Sequence, residues 1–192
     1  MKLPNRKLLL LGFALTAIVQ LAIPLKMVYD CEITSTEGTE YKFRTSPIDP
    51  VDPFRGKYIT LDYEGASVRA KNPAWEDSDE TYVYIKTGSD GFAHVTHLSH
   101  HPLDIPNDYF KAKAYNFYEG QVRIEFPFDR YYMEESKAYE AELAYRDFNL
   151  GDSLKKPAYA LVAVRDGNAV LKDVIIDGMP IRVYVLKRRE NK

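Results

Sequence analysis

The sequence YALVAVRDGNAVLKDVII, residues 159–176, predicts two antiparallel strands joined by a tight turn. The segments Tyr159–Val164 and Ala169–Ile176 are rich in β-branched and other apolar residues, which favour strands. Asp166-Gly167 between them supplies the positive φ angles that a two-residue hairpin turn needs. These residues therefore predict a β-hairpin.

The same pattern occurs earlier in the chain, where Asp90-Gly91 separates Thr81–Thr87 from Phe92–Leu98. This segment predicts a first hairpin of the same kind. Alternation and β-forming residues predict further strands at Tyr41–Thr45, Tyr58–Tyr63, Tyr109–Tyr118 and Ile181–Leu186. Residues 64–80, between the strand at Tyr58–Tyr63 and the first hairpin, are acidic and are predicted to be a loop.

One segment between the two predicted hairpins has a helical composition. Residues 134–146 carry Glu, Lys, Ala and Leu without Gly or Pro, and acidic residues occupy the first turn. The fold class is therefore mainly β (α+β), with one short helix within antiparallel strands.

Two dipeptides, Pro-Phe and Asp-Gly, occur in both halves of the chain at nearly the same spacing. Pro53-Phe54 and Pro127-Phe128 are 74 residues apart, and the two Asp-Gly pairs are 76 residues apart. A shared offset predicts a duplicated antiparallel β domain, with a first repeat at 41–120 and a second at 121–188 that includes helix 134–146.

The N-terminus differs from this β region in composition. Residues 8–25 carry no charge and one amide, Gln20, and they follow Lys2, Arg6 and Lys7. Eighteen helical residues span about 27 Å, close to the hydrocarbon thickness of a bilayer. We predict a cytoplasmic tail at 1–7, a transmembrane anchor at 8–28 and a domain outside the cytoplasm, by the positive-inside rule.

The alternative is a signal peptide that is removed after Ala22. Cleavage sites favour small residues at positions −3 and −1, and Gln20 occupies −3 here. The uncleaved, single-pass anchor in the cytoplasmic membrane is the preferred interpretation, with membrane lipid as the partner of the helix.

Composition narrows the classes of function. The 192 residues carry 26 basic and 28 acidic side chains, so no positive field favours nucleic acid, and no nucleic-acid partner is predicted. A single cysteine, Cys31, rules out an intramolecular disulfide.

Residues Gly56-Lys57-Tyr58-Ile59-Thr60-Leu61-Asp62-Tyr63 resemble the signature of the GDYXXLXY family of membrane-anchored bacterial proteins. Lys57 stands where the family has an acidic residue, so that acidic side chain is no obligatory ligand or base here. The resemblance implies an uncharacterised membrane-anchored protein of the bacterial envelope, and a polytopic membrane protein as a possible partner.

The candidate contact surface follows from this motif and its counterpart in the second half. Tyrosine combines a large apolar ring with a polar tip, so these segments suit either core packing or binding of a peptide or sugar. The candidate residues are Arg55, Gly56, Lys57, Tyr58, Leu61, Tyr63, Arg130, Tyr131 and Tyr132.

Catalysis and metal binding are not predicted. His94, His97, His100 and His101 are clustered near Asp104, but alternation on a strand places His94 and His97 on opposite faces. No catalytic residue, metal ligand or cofactor is therefore assigned from the histidines.

The remaining polar pairs suit structural roles. Ser136-Lys137 and Glu134/Glu135 fit the start of a helix, and Asp49/Asp52 fit turns. Two functions remain: a non-enzymatic accessory subunit that works by contact, or an envelope ligand-binding module with a tyrosine-lined cleft.

Overall fold

The computed structural model describes residues 6–46, 58–69, 79–116, 121–133, 141, 143, 145, 148 and 157–190. Arg55, Gly56 and Lys57 lie outside these residues, as do Asp49, Asp52, Glu134, Glu135, Ser136 and Lys137. Ala141, Leu143, Tyr145 and Phe148 are helical, which agrees with the predicted helix at 134–146 and carries helical structure two residues beyond it.

The described part of the chain is mainly β, with one long apolar helix at its N-terminus, as predicted. Helix α1 spans Arg6–Glu37 and helix α2 spans Ile181–Glu190. The strands are β1 (Thr39–Ser46), β2 (Tyr58–Thr60), β3 (Asp62–Tyr63), β4 (Ser67–Arg69), β5 (Asp79–Thr87), β6 (Ala93–Ser99), β7 (Tyr109–Asn116), β8 (Gln121–Glu125), β9 (Arg130–Tyr132), β10 (Tyr159–Arg165), β11 (Asn168–Ile176) and β12 (Met179–Pro180).

These strands form two five-stranded sheets and one small ribbon. Sheet 1 has the order β12-β11-β10-β1-β3, and sheet 2 has the order β4-β8-β7-β5-β6. Strands β2 and β9 form a separate antiparallel pair. Strand β1 from the predicted first repeat therefore pairs with β10 from the second, and β8 from the second repeat pairs with β7 from the first.

Both predicted hairpins are confirmed. Arg165 pairs with Asn168, and the intervening Asp166 and Gly167 have φ values of 49° and 86°. Positive φ at both positions matches the right-handed twist of the flanking strands. Gly91 in the other hairpin also has positive φ, at 79°.

Two sequence predictions of secondary structure are wrong. Ile181–Leu186 was expected to be a strand, but it belongs to helix α2. Ile181 and Val185 are buried and Tyr184 is half-buried, so the core contacts follow helical spacing. Ser67–Arg69, expected to lie in a loop, pairs with β8 as an edge strand.

An aromatic cluster joins the two sheets. Phe43 in β1 lies 6.1 Å from Phe110 in β7 and 5.0 Å from Phe128, measured between ring centroids. Phe126 and Tyr63 complete the cluster, with their centroids 4.9 Å apart. All of these rings are buried, so aromatic side chains contribute a large part of the contact between the sheets.

Helix α1 is longer than the predicted anchor at 8–28 and reaches the sheets. It has 32 residues, or about 48 Å, and it is long and apolar enough to cross a membrane. Its last turns pack against β10 and β11, where Thr34 is 1% exposed and Glu37 forms an ion pair with Arg165. The apolar helix therefore runs into the β domain without an intervening loop.

Candidate functional site

The motif residues 58–63, called the motif strand here, contain β2 and β3 and place alternate side chains in the core. Ile59, Leu61 and Tyr63 are 1%, 3% and 3% exposed, whereas Tyr58 and Asp62 are half-buried. This period of two is that of a strand with one buried face. Leu61 and Tyr63 of the candidate set are therefore core residues.

The motif also holds the second segment, residues 126–132, in place. The Leu61 amide donates to the carbonyl of Asp129 at 2.7 Å, and the Tyr63 hydroxyl donates to the carbonyl of Phe128 at 2.8 Å. Burial is the main reason that the pKa of Tyr63 lies well above its ordinary value. The Tyr63 hydroxyl thus acts as a neutral structural donor.

Three candidate residues, Tyr58, Arg130 and Tyr132, form a surface patch, the tyrosine–arginine patch, in which Tyr58 is half-buried and the other two are exposed. Tyr58 and Tyr132 are register partners with ring centroids 5.5 Å apart, and the Arg130 guanidinium lies 5.2 Å from the Tyr58 ring centroid. Tyr132 is 62% exposed. The hydrogen bond with Tyr132, followed by the charges of Asp129 and Tyr58, raises the pKa of Arg130 above its ordinary value. Arg130 Nε lies 3.9 Å from Asp129 Oδ1, so the carboxylate partly balances the charge of the guanidinium.

Tyr131 points to the opposite side of β9 and links it to sheet 1 and α2. Its hydroxyl donates to Asp173 Oδ1 at 2.8 Å and accepts from Arg182 Nε at 2.7 Å. Burial, followed by the hydrogen bond to Asp173, raises the pKa of Tyr131 to about 12. Asp173 and Arg182 had no local sequence signal, because their role depends on a contact between distant segments.

A cavity of about 400 Å³ lies beside the motif strand. Asp62, Arg123 and Asp129 contribute charged groups to it, and Arg123 Nη2 lies 3.4 Å from Asp62 Oδ1. Tyr63 and Tyr115 also line it, beside these charged groups. Tyr63 is the one member of the candidate tyrosines that lines this cavity among the described residues.

A second cavity, of about 420 Å³, lies between β4 and the β5–β6 hairpin. Arg44 contacts Asp90 at 3.4 Å there and stacks 4.4 Å from the Phe92 ring centroid. His94 Nε2 lies 3.0 Å from Asp90 Oδ1, and this hydrogen bond is the main cause of the lowered pKa of Asp90.

The expectation that His94 and His97 lie on opposite faces of β6 is wrong. A register shift between Tyr84 and Ile85 places an extra residue in β6. His94 and His97 therefore pair with Lys86 and Tyr84, which lie two residues apart on β5 and share a face. Both histidines are exposed. Within the described residues, no group of three or more His, Cys, Asp or Glu side chains is placed to hold a metal ion.

The architecture is that of an apolar N-terminal helix joined to a double-sheet β domain, and the motif lies at the contact between β2, β3 and β9. The family described as GDYXXLXY protein matches residues 20–174. The chain therefore belongs to the GDYXXLXY family. The comparisons with curated proteins and with solved structures found no match.

Proposed function

We propose that this chain is a single-pass protein of the cytoplasmic membrane that works by contact, as an accessory subunit of a polytopic membrane protein. Residues 1–7 remain in the cytoplasm, and the β domain lies in the envelope space outside it. The observation that carries the proposal is the direct connection between α1 and the domain, because docking of Thr34 against sheet 1 fixes the domain relative to the helix.

Geometry also supports a domain held above the lipid. Eight helical residues, 26–33, lie between the apolar run and Thr34, where the helix docks on sheet 1, and they correspond to about 12 Å. The headgroup layer on one side of a bilayer is only about 5–8 Å thick. A rigid helical stem of this length presents the domain to a neighbouring membrane protein at a fixed height.

The tyrosine–arginine patch is the contact surface that we assign to the partner. Exposed Tyr and Arg side chains are enriched in the energetically important centres of protein interfaces. Stacking of Tyr58 on Tyr132 and of Arg130 on Tyr58 holds these side chains in place before binding, which lowers the entropy cost of association.

Three measurements test this function. Alkaline carbonate should leave the full chain in the membrane fraction, and external protease should degrade the β domain in spheroplasts but not in inside-out vesicles. Mild detergent should then release the chain with a stoichiometric polytopic protein. The Tyr132→Ser variant should lose that protein, while Tyr82→Ser, at a stacked tyrosine on sheet 2, should retain it.

A second candidate function is recognition of an envelope sugar or peptide. It is favoured by the exposed Tyr132 ring beside Arg130, since aromatic rings stack on apolar sugar faces and cations bind anionic groups. Titration of the full chain in micelles with a soluble N-acetylated sugar oligomer tests it. Binding lost in Tyr132→Ser, with no stoichiometric protein partner, would favour this function over the accessory role.

A further inference from the structure

Gln20 contributes two polar groups at one level of the apolar helix, its side-chain amide and its backbone carbonyl. Its side-chain amide is exposed on α1, within the uncharged run of residues 8–25. Pro24 lies one turn later and has no N–H, so the Gln20 carbonyl receives no intrahelical hydrogen bond from it. In hydrocarbon, unpaired polar groups of this kind are strongly unfavourable, because no water is present to form hydrogen bonds with them.

The face that carries Gln20 continues along the helix to the lone cysteine. At about 100° per residue, Phe13, Met27 and Cys31 lie within about 20° of Gln20. Cys31 is exposed, whereas Thr34, about 40° from Gln20 in the opposite rotational direction, is buried against the domain. The β domain therefore covers one side of this face and leaves the side that carries Cys31 open.

We propose that this face pairs with the same face of a second copy of the chain, in a parallel two-fold dimer within the membrane. The proposal rests on the membrane insertion given under Proposed function. It identifies Gln20 as the polar contact and Phe13, Met27 and Cys31 as neighbours along the seam.

A second copy is favoured over an unrelated helix by hydrogen-bond complementarity. The amide of glutamine carries both donors and acceptors, and two-fold symmetry brings the two Gln20 side chains together at equal depth. Each amide then reaches the carbonyl or the amide of its partner, and such contacts stabilise pairs of membrane helices. The charge of Lys26 does not oppose the pairing, because its ammonium lies 2.5 Å from Asp30 Oδ2 of the same helix.

Disulfide cross-linking in native membranes tests the geometry. Copper phenanthroline accepts the two electrons released when two thiols form a disulfide. In the full chain, Cys31 should form a covalent dimer. On a Cys31→Ser background, Met27→Cys should also cross-link, whereas Tyr29→Cys, about 180° from Gln20, should not. Equal cross-linking through positions 27 and 29 would overturn the proposal.

The role of Gln20 is tested with the native Cys31 present. Gln20→Leu should weaken dimerisation about three- to tenfold, the range expected for loss of a hydrogen bond between membrane helices, and Gln20→Asn should retain most of it. Ala22→Leu, on the opposite face, is the matched control. Energy transfer between labelled full chains in phosphatidylcholine vesicles measures the equilibrium, and an unchanged Gln20→Leu dimer would refute the assignment.

Carbonate extraction of the wild-type chain distinguishes failure of the proposed membrane function from failure of the proposed dimer. A chain released by carbonate refutes the membrane function itself. A chain that stays in the membrane as a monomer, with no cross-link through Cys31, refutes only the dimer.

Discussion

At the scale of single residues, Tyr131 shows how a motif-like tyrosine can be structural. Its hydroxyl joins Asp173 of β11 to Arg182 of α2, and both contacts are within 2.8 Å. Its neighbour Tyr132 has an exposed ring on the surface patch. Consecutive tyrosines on a strand thus separate into a core role and a surface role because their side chains alternate.

Tyr131→Phe should lower the free energy of unfolding by about 1–2 kcal/mol, because Asp173 and Arg182 lose a hydrogen-bond partner in a half-buried setting. Tyr132→Phe should change it by less than about 0.5 kcal/mol. Urea unfolding of the full chain in micelles measures both. Equal effects of the two substitutions would contradict the structural role of the Tyr131 hydroxyl.

Alkaline pH should destabilise the fold through its neutral tyrosines. Burial, followed by the hydrogen bond to Asp108, raises the pKa of Tyr41 to about 12, and Tyr131 has a similar value. An unfolded tyrosine ionises near pH 10, so between about pH 10 and 12 the unfolded state releases protons first. The free energy of unfolding should therefore be fully retained below about pH 10 and fall above it.

Unfolding measurements at about pH 9 and pH 11 check this dependence. The double variant Tyr41→Phe/Tyr131→Phe should start from a lower stability and lose less of it over that range than wild type. A loss identical to that of wild type would show that other groups, such as Tyr63, control the alkaline transition.

At the scale of elements, the Asp166-Gly167 turn does more than connect two strands. The Gly167 carbonyl accepts a hydrogen bond from the Lys111 amide at 2.9 Å, which ties the tip of the β10–β11 hairpin to β7 of the other sheet. A Cβ at position 167 would lie 3.0 Å from Cε2 of Tyr109. The turn therefore needs glycine for its φ of 86° and also for the space beside Tyr109.

Gly167→Ala should cost at least about 2 kcal/mol, whereas Gly91→Ala should cost about 1 kcal/mol. Both substitutions place alanine at a positive φ, but a Cβ at Gly91 meets no atom within 4 Å. The difference between the two measures the contact with Tyr109. Urea midpoints of the two variants give the comparison, and equal losses would mean that φ strain alone sets the cost.

Helix α2 shows where element prediction from sequence fails. Ile181-Arg182-Val183 begins with the period of two that predicts a strand, but Val183 is 41% exposed and the core contacts fall on Ile181 and Val185. A short apolar segment fits both the period of two of a strand and the period of 3.6 of a helix. Here packing against β11 favours the helix. The hairpins were predictable because Asp-Gly turns specify local φ angles that do not depend on distant contacts.

At the scale of the whole molecule, composition predicted the apolar helix and the β-rich domain but not how the strands associate. Strand β1 lies between β10 and β3, and its Phe43 ring touches four aromatic rings from distant segments. Local propensity carries no information about such long-range pairings. The duplication of 41–120 and 121–188 stays a prediction, since strands from both segments contribute to both sheets.

The junction between α1 and β1 determines how the domain is oriented on its helix. Gly38 donates its amide to the carbonyl of Thr34 at 3.0 Å and connects the helix directly to β1. A Cβ at this position would collide with the Thr34 carbonyl and would lie 3.1 Å from the carbonyl oxygen of Val164. Both obstacles are backbone atoms, which cannot move aside as a side chain can.

Gly38→Ala should therefore separate the end of α1 from sheet 1 while leaving the two sheets folded. Hydrogen exchange of the full chain in micelles should become at least about tenfold faster in the peptide that covers residues 34–44, because local opening exposes its amides. Gly12→Ala is the matched control, since a Cβ there meets no atom within 4 Å. Unchanged exchange in Gly38→Ala would mean that the helix and the domain tolerate another arrangement. The stem would then not hold the tyrosine–arginine patch at one orientation to the membrane.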